Sequence, residues 1–373
     1  MKFIVYADIH HDEYAAKCLT LQDTLEVERQ VFNRASEIQA DFILFGGDRF
    51  LKREPKDEVK VLADQVVLDG LARQKQGFGY FHLVGNHDRV DNTLKWHTAQ
   101  ALSTLLKRDT VLPGIMDEPN TYSSPGLPVR VHALPAGYSF DMSKYTVDPA
   151  YLNILLFHDI VMGSASDSEG KHIFEDGISL EDVDRPEFDL IYAGDIHVPQ
   201  KFNLKNSKGG YVGAVLQRTR ADANKPRGWL EIEADFVDGK WKTTTQFQPT
   251  RNFFTRYAFE VKSNTTYGDI IRQIDDQWVS DQAVEVKLTG AKYDVDKIAD
   301  DPKWKNYTDV LMARRLDILR DYQSEHRDEV ISLEDSQTPV EDLTRYIDSD
   351  FGEIGGLSKD RLLDIVGRYS HGN

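Results

Sequence analysis

The strongest constraint on the fold is a series of short apolar segments in the first half of the chain, several of which end in polar residues. Each is a continuous apolar run, the pattern of a strand that is covered on both faces. Helical patterns lie between the runs, among them residues 57–73 and 92–107. This alternation predicts a layered α/β domain. The predicted strands are Lys2–Tyr6, Phe42–Phe45, Tyr80–Val84, Val129–Ala133, Asn153–Phe157 and Asp189–Ala193.

The pattern changes after residue 200 and predicts several further regions. Residues 200–250 are rich in hairpin-like β patterns, whereas 251–322 are predicted to form a small α+β domain that ends in a helix at 306–322. The polar, acidic segment 323–337 is predicted to be a linker. Two short amphipathic helices are predicted within 338–373, and they either pack on their own domain or dock onto a partner. The predicted domains are therefore 1–250, 251–322, the linker 323–337 and the segment 338–373.

Charge and cysteine content limit the class of protein. The 373 residues carry a net charge of −17, which argues against a nonspecific nucleic-acid coat. The charge is uneven, since residues 198–230 hold seven lysines and arginines against one aspartate, a local charge of +6. Cys18 is the single cysteine, and the sequence shows neither a signal-peptide pattern nor an apolar run of membrane-spanning length. We therefore expect a cytoplasmic protein without a membrane span.

Five of the apolar segments end in residues whose side chains bind divalent metals. Taken singly, each has an ordinary explanation, such as a helix cap, a turn residue or a buried histidine. Their recurrence at successive strand ends favours one shared site at the edge of a sheet. Carboxylates, imidazoles and an amide suit Mn²⁺, Fe²⁺ or Zn²⁺, and the set is too large for one ion. The residues are Asp8 and His10, Asp48, Asn86 with His87 and Asp88, His158, and Asp195 with His197.

The order of these motifs resembles a known family. The calcineurin-like metallophosphoesterase pattern D-x-H, G-D, G-N-H-[DE], H, G-H-x-H is similar to DIH at 8–10, GD at 47–48, GNHD at 85–88, His158 and GDIH at 194–197. Within the family, the chain is most similar to the DNA-repair branch, the SbcD-type nuclease subunit that works with an SMC-like ATPase. The segment YVGAVLQRTRADANKPRGW at 211–229 looks like that branch's glycine-containing segment.

The resemblance implies an α/β fold of a particular kind and a site with two metals. The fold would be a layered metallophosphoesterase sandwich with a β-rich second half, a small α+β capping domain and a C-terminal helical docking segment. Mn²⁺ is the expected metal and Mg²⁺ the alternative, and the ions would activate water for in-line attack on a phosphodiester. His87 would donate a proton to the leaving oxygen while Asp88 fixes its ring. The implied ligands are Asp8, His10, Asp48 and His197 for one ion, and Asp48, Asn86, His158 and Asp195 for the other, with Asp48 as the bridge.

Two positions depart from the family pattern. Position 195 is Asp where the family usually has His, which leaves a competent oxygen ligand. Position 51 is Leu where the nuclease branch often has His or Asp, which removes a polar group near the DNA.

The resemblance also implies substrates and partners. We expect a Mn²⁺-dependent exonuclease on duplex DNA, with endonuclease activity on single strands, that acts in recombination and repair. An SMC-like ATPase of the SbcC type would bind residues 338–373, and a homodimer would form through the helices at 57–73 and 92–107. The basic strip within 198–230 either contacts phosphates or is merely solvated. The predicted DNA-binding residues are Arg89, Lys201, Arg218, Arg220, Lys225 and Arg227.

Two other functions stay open at this point. One is a nucleotide or protein phosphoesterase of the same superfamily. The other, of a different class, is a non-catalytic scaffold whose metal site has decayed, which the retained ligand residues argue against.

Overall fold

The structure is a computed structural model that describes residues 1–13, 19–108, 113–166, 172–275, 282–304, 306–307, 315–323, 353–354 and 357–358. The chain divides into two compact units, Met1–Asp321 and Tyr322–Asn373. The helices are α1 (Leu21–Glu37), α2 (Asp57–Ala72), α3 (Gln100–Arg108), α4 (Leu180–Val183), α5 (Tyr267–Asp275) and α6 (Lys292–Ala299).

The strands are numbered in chain order. The first eight are β1 (Lys2–Tyr6), β2 (Phe42–Phe45), β3 (Gly79–Leu83), β4 (Pro113–Met116), β5 (Asn120–Ser123), β6 (Val129–Leu134), β7 (Leu152–His158) and β8 (Leu190–Gly194). The others are β9 (Gln200–Lys201), β10 (Lys208–Tyr211), β11 (Gly228–Val237), β12 (Lys240–Pro249), β13 (Phe254–Val261), β14 (Ala283–Gly290), β15 (Arg315–Tyr322), β16 (Glu353–Ile354) and β17 (Leu357–Ser358).

Two six-stranded sheets form the layered α/β core that the sequence predicts. One has the order β12-β11-β1-β2-β3-β4, and the other β5-β6-β7-β8-β10-β9. Side chains from both sheets share one buried cluster, in which Phe3 and Val5 of the first lie with Val131 and Ile154 of the second. The predicted sandwich and all six predicted strands are confirmed.

The polarity of the strands brings the predicted site residues to one edge. In the first sheet β1, β2 and β3 are parallel neighbours, and in the second β6, β7 and β8 are parallel neighbours. The loops that follow β1, β2 and β3 therefore lie side by side, as do those that follow β7 and β8. The metal-binding residue types sit in these loops, at the carboxyl ends where open α/β sheets bind ligands.

Helix α1 begins where its sequence provides a cap. The Thr20 hydroxyl accepts from the backbone N–H of Asp23, and the Asp23 carboxylate accepts from the backbone N–H of Thr20, a capping box. Val27, Val31 and Ala35 then form the face that packs on the first sheet.

Residues 254–322 form a small α+β layer with its own core. The sheet has the order β13-β14-β15, and α5 and α6 contribute Ile270 and Val295 to a cluster with Val286 and Trp304. The prediction of a helix over 306–322 is wrong for Arg315–Tyr322, which is strand β15. Its apolar residues Leu316 and Ile318 alternate with polar ones and pack against this cluster, which is the period of a strand.

The predicted helix at 57–73 is confirmed as α2, whereas the one at 92–107 begins only at Gln100 in α3. The preceding residues form a loop instead. It is closed by a bridge between Arg89 and His97, and the buried Arg89 guanidinium donates to the carbonyl of Leu94.

Little of the C-terminal unit is described. Glu353–Ile354 and Leu357–Ser358 pair as two short antiparallel strands. The helices predicted within 338–373 and the linker predicted at 323–337 otherwise lie outside the described residues, so those predictions stay untested. Among the helices that the structure does describe, none is long and apolar enough to cross a membrane.

Candidate metal centre

The loops after β1 and β2 are joined by backbone hydrogen bonds. The N–H groups of Asp8 and His10 donate to the carbonyls of Gly47 and Asp48, over 3.0 and 3.1 Å. Asp8, His10 and Asp48 all adopt left-handed backbone conformations, with φ of 54°, 51° and 59°. Such conformations cost energy in residues other than glycine and persist where the surroundings impose them, often at functional sites. The two loops are therefore held in a strained arrangement that directs three polar side chains to one point.

Two glycines allow the loops to approach this closely. A Cβ on Gly85 would lie 2.2 Å from Oδ1 of Asp48, and one on Gly47 would lie 2.5 Å from Nδ1 of His158. Gly47 also has a φ of +98°, which glycine adopts without strain. Any larger residue at these two positions would displace a ligand side chain.

One group of ligand atoms gathers around His10. Its Nε2 lies 3.0 Å from Nε2 of His197 and 3.6 Å from Oδ2 of Asp48. The ligand atoms of Asp8, His10 and His197 lie within 4.8 Å of one another. Burial lowers the pKa of His10 well below its usual value and that of His197 to about 4, so both imidazoles are neutral and can present lone pairs to a cation.

A second group gathers around His158. Its Nδ1–H donates to the carbonyl of Gly46 over 2.7 Å, which leaves Nε2 as the nitrogen with the lone pair. This Nε2 lies 3.2 Å from Oδ1 of Asp48 and 3.7 Å from Oδ1 of Asp195. The Asn86 amide joins the group, since its Nδ2 donates to Oδ1 of Asp195 over 3.1 Å. Asp48 therefore turns one carboxylate oxygen to each group, the arrangement of a bridging ligand.

The buried polar atoms of both groups fit a pair of divalent cations. Asp8 and His158 are almost completely buried. Among the described residues Oδ2 of Asp8 has no hydrogen-bond partner, while Nε2 of His158 lies 3.2 Å from the carboxylate of Asp48 and makes no well-formed hydrogen bond with it. Unsatisfied buried polar groups are rare and costly. Carboxylate, amide and imidazole donors in this mixture are the ligands of Mn²⁺ and similar ions, so the donor set fits the two ions that the sequence predicts.

The electrostatics of the centre also favour a cation. Burial, reinforced by the charge of Asp48, raises the pKa of Asp8 to about 8. Burial disfavours a charged His158, but the carboxylates of Asp48, Asp8 and Asp195 outweigh it and raise its pKa well above the usual value. Without metal, protons on these groups offset the crowded carboxylates. A divalent ion held by Asp8, Asp48 and His158 would supply that charge instead of the protons.

His87 lies beside the carboxylate of Asp48 with its ring fixed. Its backbone N–H donates to Oδ1 of Asp48 over 2.9 Å, and its Nδ1–H donates to the carbonyl of Leu51 over 2.6 Å. The ring meets that of His10 edge to face, with centroids 5.0 Å apart. Its nitrogen atoms lie near enough to His10 and Asp48 for a third potential ligand group. Because Nδ1 is bonded to a carbonyl, Nε2 is the nitrogen that can serve a substrate.

The predicted contact between Asp88 and the His87 ring is wrong. The Asp88 carboxylate is buried and accepts from the backbone N–H groups of Asp48, Gly85 and Arg49, over 3.0, 3.0 and 2.9 Å. It therefore ties the loop after β3 to the loop after β2. The main chain of Leu51 orients the ring instead, and a main-chain carbonyl leaves no signal in a sequence.

The predicted DNA-binding residues separate into two kinds. Arg89, Arg218 and Arg227 are buried, and Arg218 donates to the carbonyls of Ile9 and His10, both over 3.0 Å. Arg227 is paired with Asp222. These three guanidiniums support loops, whereas Lys201 is exposed and Lys225 half-buried. The side chain of Arg220 lies outside the described residues.

A cleft of about 230 Å³ adjoins the second ligand group. It is lined by Asn86, Arg53, Asn92, Leu94 and neighbouring residues, including the glycine at 137. Arg53 is exposed, so the cleft combines a cation with amide groups next to a predicted metal ligand. The sequence did not mark this cleft, because its walls come from three separate loops.

Comparison with known families decides the classification. A family model described as Calcineurin-like phosphoesterase matches residues 1–199. This is more than half of the 373 residues and contains all of the predicted metal ligands. The chain belongs to the calcineurin-like phosphoesterase family. Its motif order, its sandwich and the two ligand groups around Asp48 agree with that membership.

Other comparisons add little detail. Among curated proteins, none matches the chain. Among solved structures, the chain is similar to a dimetal phosphatase from Danio rerio, with a TM-score of 0.39 and 11% identity, over 62% of this chain and 92% of that one. A likeness at this level carries no argument about substrate.

Proposed function

We propose that the protein is a two-metal phosphodiesterase that cleaves DNA. The observation that carries the proposal is the position of Asp48, whose two carboxylate oxygens face two separate ligand groups while His87 is held beside it. Two-metal phosphoesterases place a shared ligand between ions about 3.5–4 Å apart. The proposed site residues are those predicted from the sequence, with the role of Asp88 revised.

The chemistry divides between the ions and the chain. Two divalent ions bound here would polarise a phosphate and lower the pKa of a water for in-line attack. The imidazoles and carboxylates of the two ligand groups would hold the ions, and through them the phosphate, in one orientation. His87, fixed through Nδ1 by Leu51, keeps Nε2 available to protonate the departing oxygen. An alkoxide such as a deoxyribose oxygen is a poor leaving group, so a proton from His87 would assist its departure from a nucleic-acid substrate.

The segment 211–229, on which the resemblance to the nuclease branch depends, supports the assignment to DNA. Val215 N–H donates to the carbonyl of Ala7, and Arg218 bonds the carbonyls of Ile9 and His10. The segment that resembles the nuclease branch is thus built into the wall of the metal centre. The cleft beside Asn86 offers Arg53 for a neighbouring phosphate.

Several finer parts of the proposal rest on resemblance. Mn²⁺ is the proposed metal and Mg²⁺ the alternative, because Asp195 makes the second group richer in oxygen. The proposed activities are exonuclease on duplex DNA and endonuclease on single strands, in cytoplasmic recombination and repair. The proposed partners are an SMC-like ATPase of the SbcC type, bound through 338–373, and a second copy of the chain.

The alternative within the superfamily is a nucleotide or protein phosphoesterase, which the same metal centre would serve. A scaffold with a decayed site is disfavoured, since the ligand groups are complete and Asp8 and His158 keep buried, unbonded ligand atoms.

The test uses the purified full chain with Mn²⁺ and four substrates: end-labelled duplex DNA, single-stranded DNA, bis(p-nitrophenyl) phosphate and a phosphopeptide. We expect cleavage of both DNAs and of the diester, with little release from the phosphopeptide. His158→Ala is the inactive control. Preferential hydrolysis of the phosphopeptide would overturn the nuclease proposal. If the wild-type protein hydrolyses none of the four substrates at saturating Mn²⁺, the result would support the scaffold.

A further inference from the structure

A buried cluster of charged and polar side chains lies behind the metal centre, between α1 and the first sheet. Glu28 of α1 is completely buried. Its Oε1 accepts from the Tyr6 hydroxyl over 3.0 Å and from Nη1 of Arg49 over 3.4 Å. Its Oε2 lies 3.0 Å from Nε2 of His11. Neither the side chain of Glu28 nor those of its partners His11 and Arg49 are exposed to water.

The protonation states of the cluster follow from its contacts. Burial opposes the charge of Glu28, but Arg49 and His11 outweigh it and lower its pKa. Burial lowers the pKa of His11, although the carboxylate of Glu28 opposes this. Nε2 of His11 donates to the carboxylate, and its Nδ1 lies 2.8 Å from Thr24 Oγ1, whose hydroxyl donates to the carbonyl of Leu21. Glu28 is thus an ionised acceptor with three donors.

The partners of Glu28 share one property, which is their place beside predicted ligands. Tyr6 comes two residues before Asp8, His11 directly follows His10, and Arg49 directly follows Asp48. The carboxylate of Glu28 therefore contacts both segments that carry the strained loops. Its three contacts lie within two residues of the predicted ligands Asp8, His10 and Asp48. A buried ion pair contributes little to stability compared with apolar residues of the same size, so stability alone is a weak reason for this cluster.

We propose that Glu28 is a positioning residue of the metal centre: through Tyr6, His11 and Arg49 it fixes the loops that present Asp8, His10 and Asp48. The positive φ values of those three residues are conformations that need an imposed environment. Glu28 supplies part of that environment from helix α1, through its contacts with Tyr6, His11 and Arg49. His11 is completely buried and contacts Glu28 behind the predicted ligand His10.

The experiment compares metal binding by four full-length, metal-stripped proteins: wild type, Glu28→Gln, Tyr6→Phe and the control Glu26→Gln. Glu26 lies on the same helix and is exposed. Mn²⁺ affinity and stoichiometry are measured by calorimetry, and unfolding is followed with and without Mn²⁺. Groups that orient metal ligands typically change metal affinity by about 10- to 100-fold when mutated.

We expect Glu28→Gln to weaken Mn²⁺ binding by about tenfold or more, Tyr6→Phe to weaken it less, and Glu26→Gln to leave it unchanged. The rise in melting temperature on adding Mn²⁺ should shrink in the same order, because that rise depends on affinity. If the variants melt lower without metal yet bind Mn²⁺ as wild type does, Glu28 is only structural and the proposal is overturned.

A double variant keeps the proposal testable if Glu28→Gln does not fold. Should Glu28→Gln fail to fold because Arg49 loses its fully buried partner and keeps only Asp64, 3.8 Å away, the double variant Glu28→Met with Arg49→Met removes both charges, a change that buried ion pairs often tolerate. Wild-type Mn²⁺ affinity in that double variant, or in Tyr6→Phe if neither Glu28 variant folds, would refute the proposal. Failure of wild type itself to bind Mn²⁺ would instead count against the proposed function.

Discussion

The Nδ1–H of His87 donates to the main-chain carbonyl of Leu51 over 2.6 Å. This bond fixes the tautomer, so that Nε2 is the nitrogen available to a substrate. The resemblance assigned the orienting role to a carboxylate, and the structure gives it to the backbone of the loop after β2. The side chain at position 51 is therefore not needed to hold the ring.

His87→Ala should keep both metal sites. Its hydrolysis rate should fall most for substrates whose leaving group needs a proton. DNA cleavage should fall by about 10²-fold or more, the usual contribution of a general acid. Hydrolysis of bis(p-nitrophenyl) phosphate should fall far less, since p-nitrophenolate departs without a proton. Leu51→Ala is the matched control and should retain DNA cleavage. A fall in Mn²⁺ stoichiometry in His87→Ala would instead identify His87 as a ligand.

Asp88→Asn should lower the free energy of unfolding. It should not change how the hydrolysis rate depends on the leaving group. The carboxylate accepts from the N–H groups of Asp48, Gly85 and Arg49, and an amide cannot accept with both of its atoms. We expect a loss of about 1.5–3 kcal/mol, the range for hydrogen bonds to a charged group, measured by urea unfolding. The ratio of DNA to p-nitrophenyl ester hydrolysis should match wild type. A DNA-specific loss like that of His87→Ala would restore the ring-orienting role.

Asp195 should control the second metal. Asp195→Ala should empty that site selectively, which metal analysis would show as a loss of about one ion per chain. Asp195→His should keep activity and shift preference from Mn²⁺ toward Zn²⁺, because it replaces an oxygen donor by a nitrogen donor. Two ions bound with unchanged affinity in the alanine variant would show that Asp195 is not a ligand.

The two kinds of basic residue should respond differently to mutation. Lys201→Gln should weaken DNA binding and reduce the slope of log affinity against log salt by about one, as expected for a lost phosphate contact. Lys240→Gln, an exposed lysine on β12, is the control and should leave the slope unchanged. Arg218→Met should lower Mn²⁺ affinity, because its guanidinium holds the carbonyls of Ile9 and His10. An unchanged slope for Lys201→Gln would remove it from the DNA contact surface.

Deletion of residues 338–373 should preserve Mn²⁺-dependent cleavage and abolish binding to an SMC-like ATPase. The metal ligands all lie within the unit Met1–Asp321, and an amphipathic segment of this kind is typical of a docking element. Activity and coiled-coil pull-down are the two measurements. Insolubility of the shortened chain, or retained binding, would show that the segment belongs to the core.

The sequence predicts most of the site because its ligands follow short apolar strands. A continuous apolar run marks a buried strand, and parallel strands bring their carboxyl ends together, so the strand pattern alone groups Asp8, Asp48 and Asn86 at one edge. His158 ends a strand of the second sheet, and it was grouped with them through the family resemblance. The contacts of Leu51 and Asp88 leave no such pattern, since they depend on backbone atoms and on how two loops meet. Strand β15 was missed because its pairing with β14 is a tertiary contact, which overrides local preference. The start of α3 was misplaced because Arg89 donates to the carbonyls of Leu94 and of the distant Asp117, which holds the residues before Gln100 in a loop.

The close packing of Gly85 against Asp48 limits how this centre can evolve. A Cβ at residue 85 would lie 2.2 Å from Oδ1 of Asp48, so any substitution there has to move that carboxylate or the loop that carries it. Variation at the glycines therefore disturbs both ligand groups at once, whereas exchange of the donor atom at a single strand end, as at Asp195, leaves the contact between the loops intact.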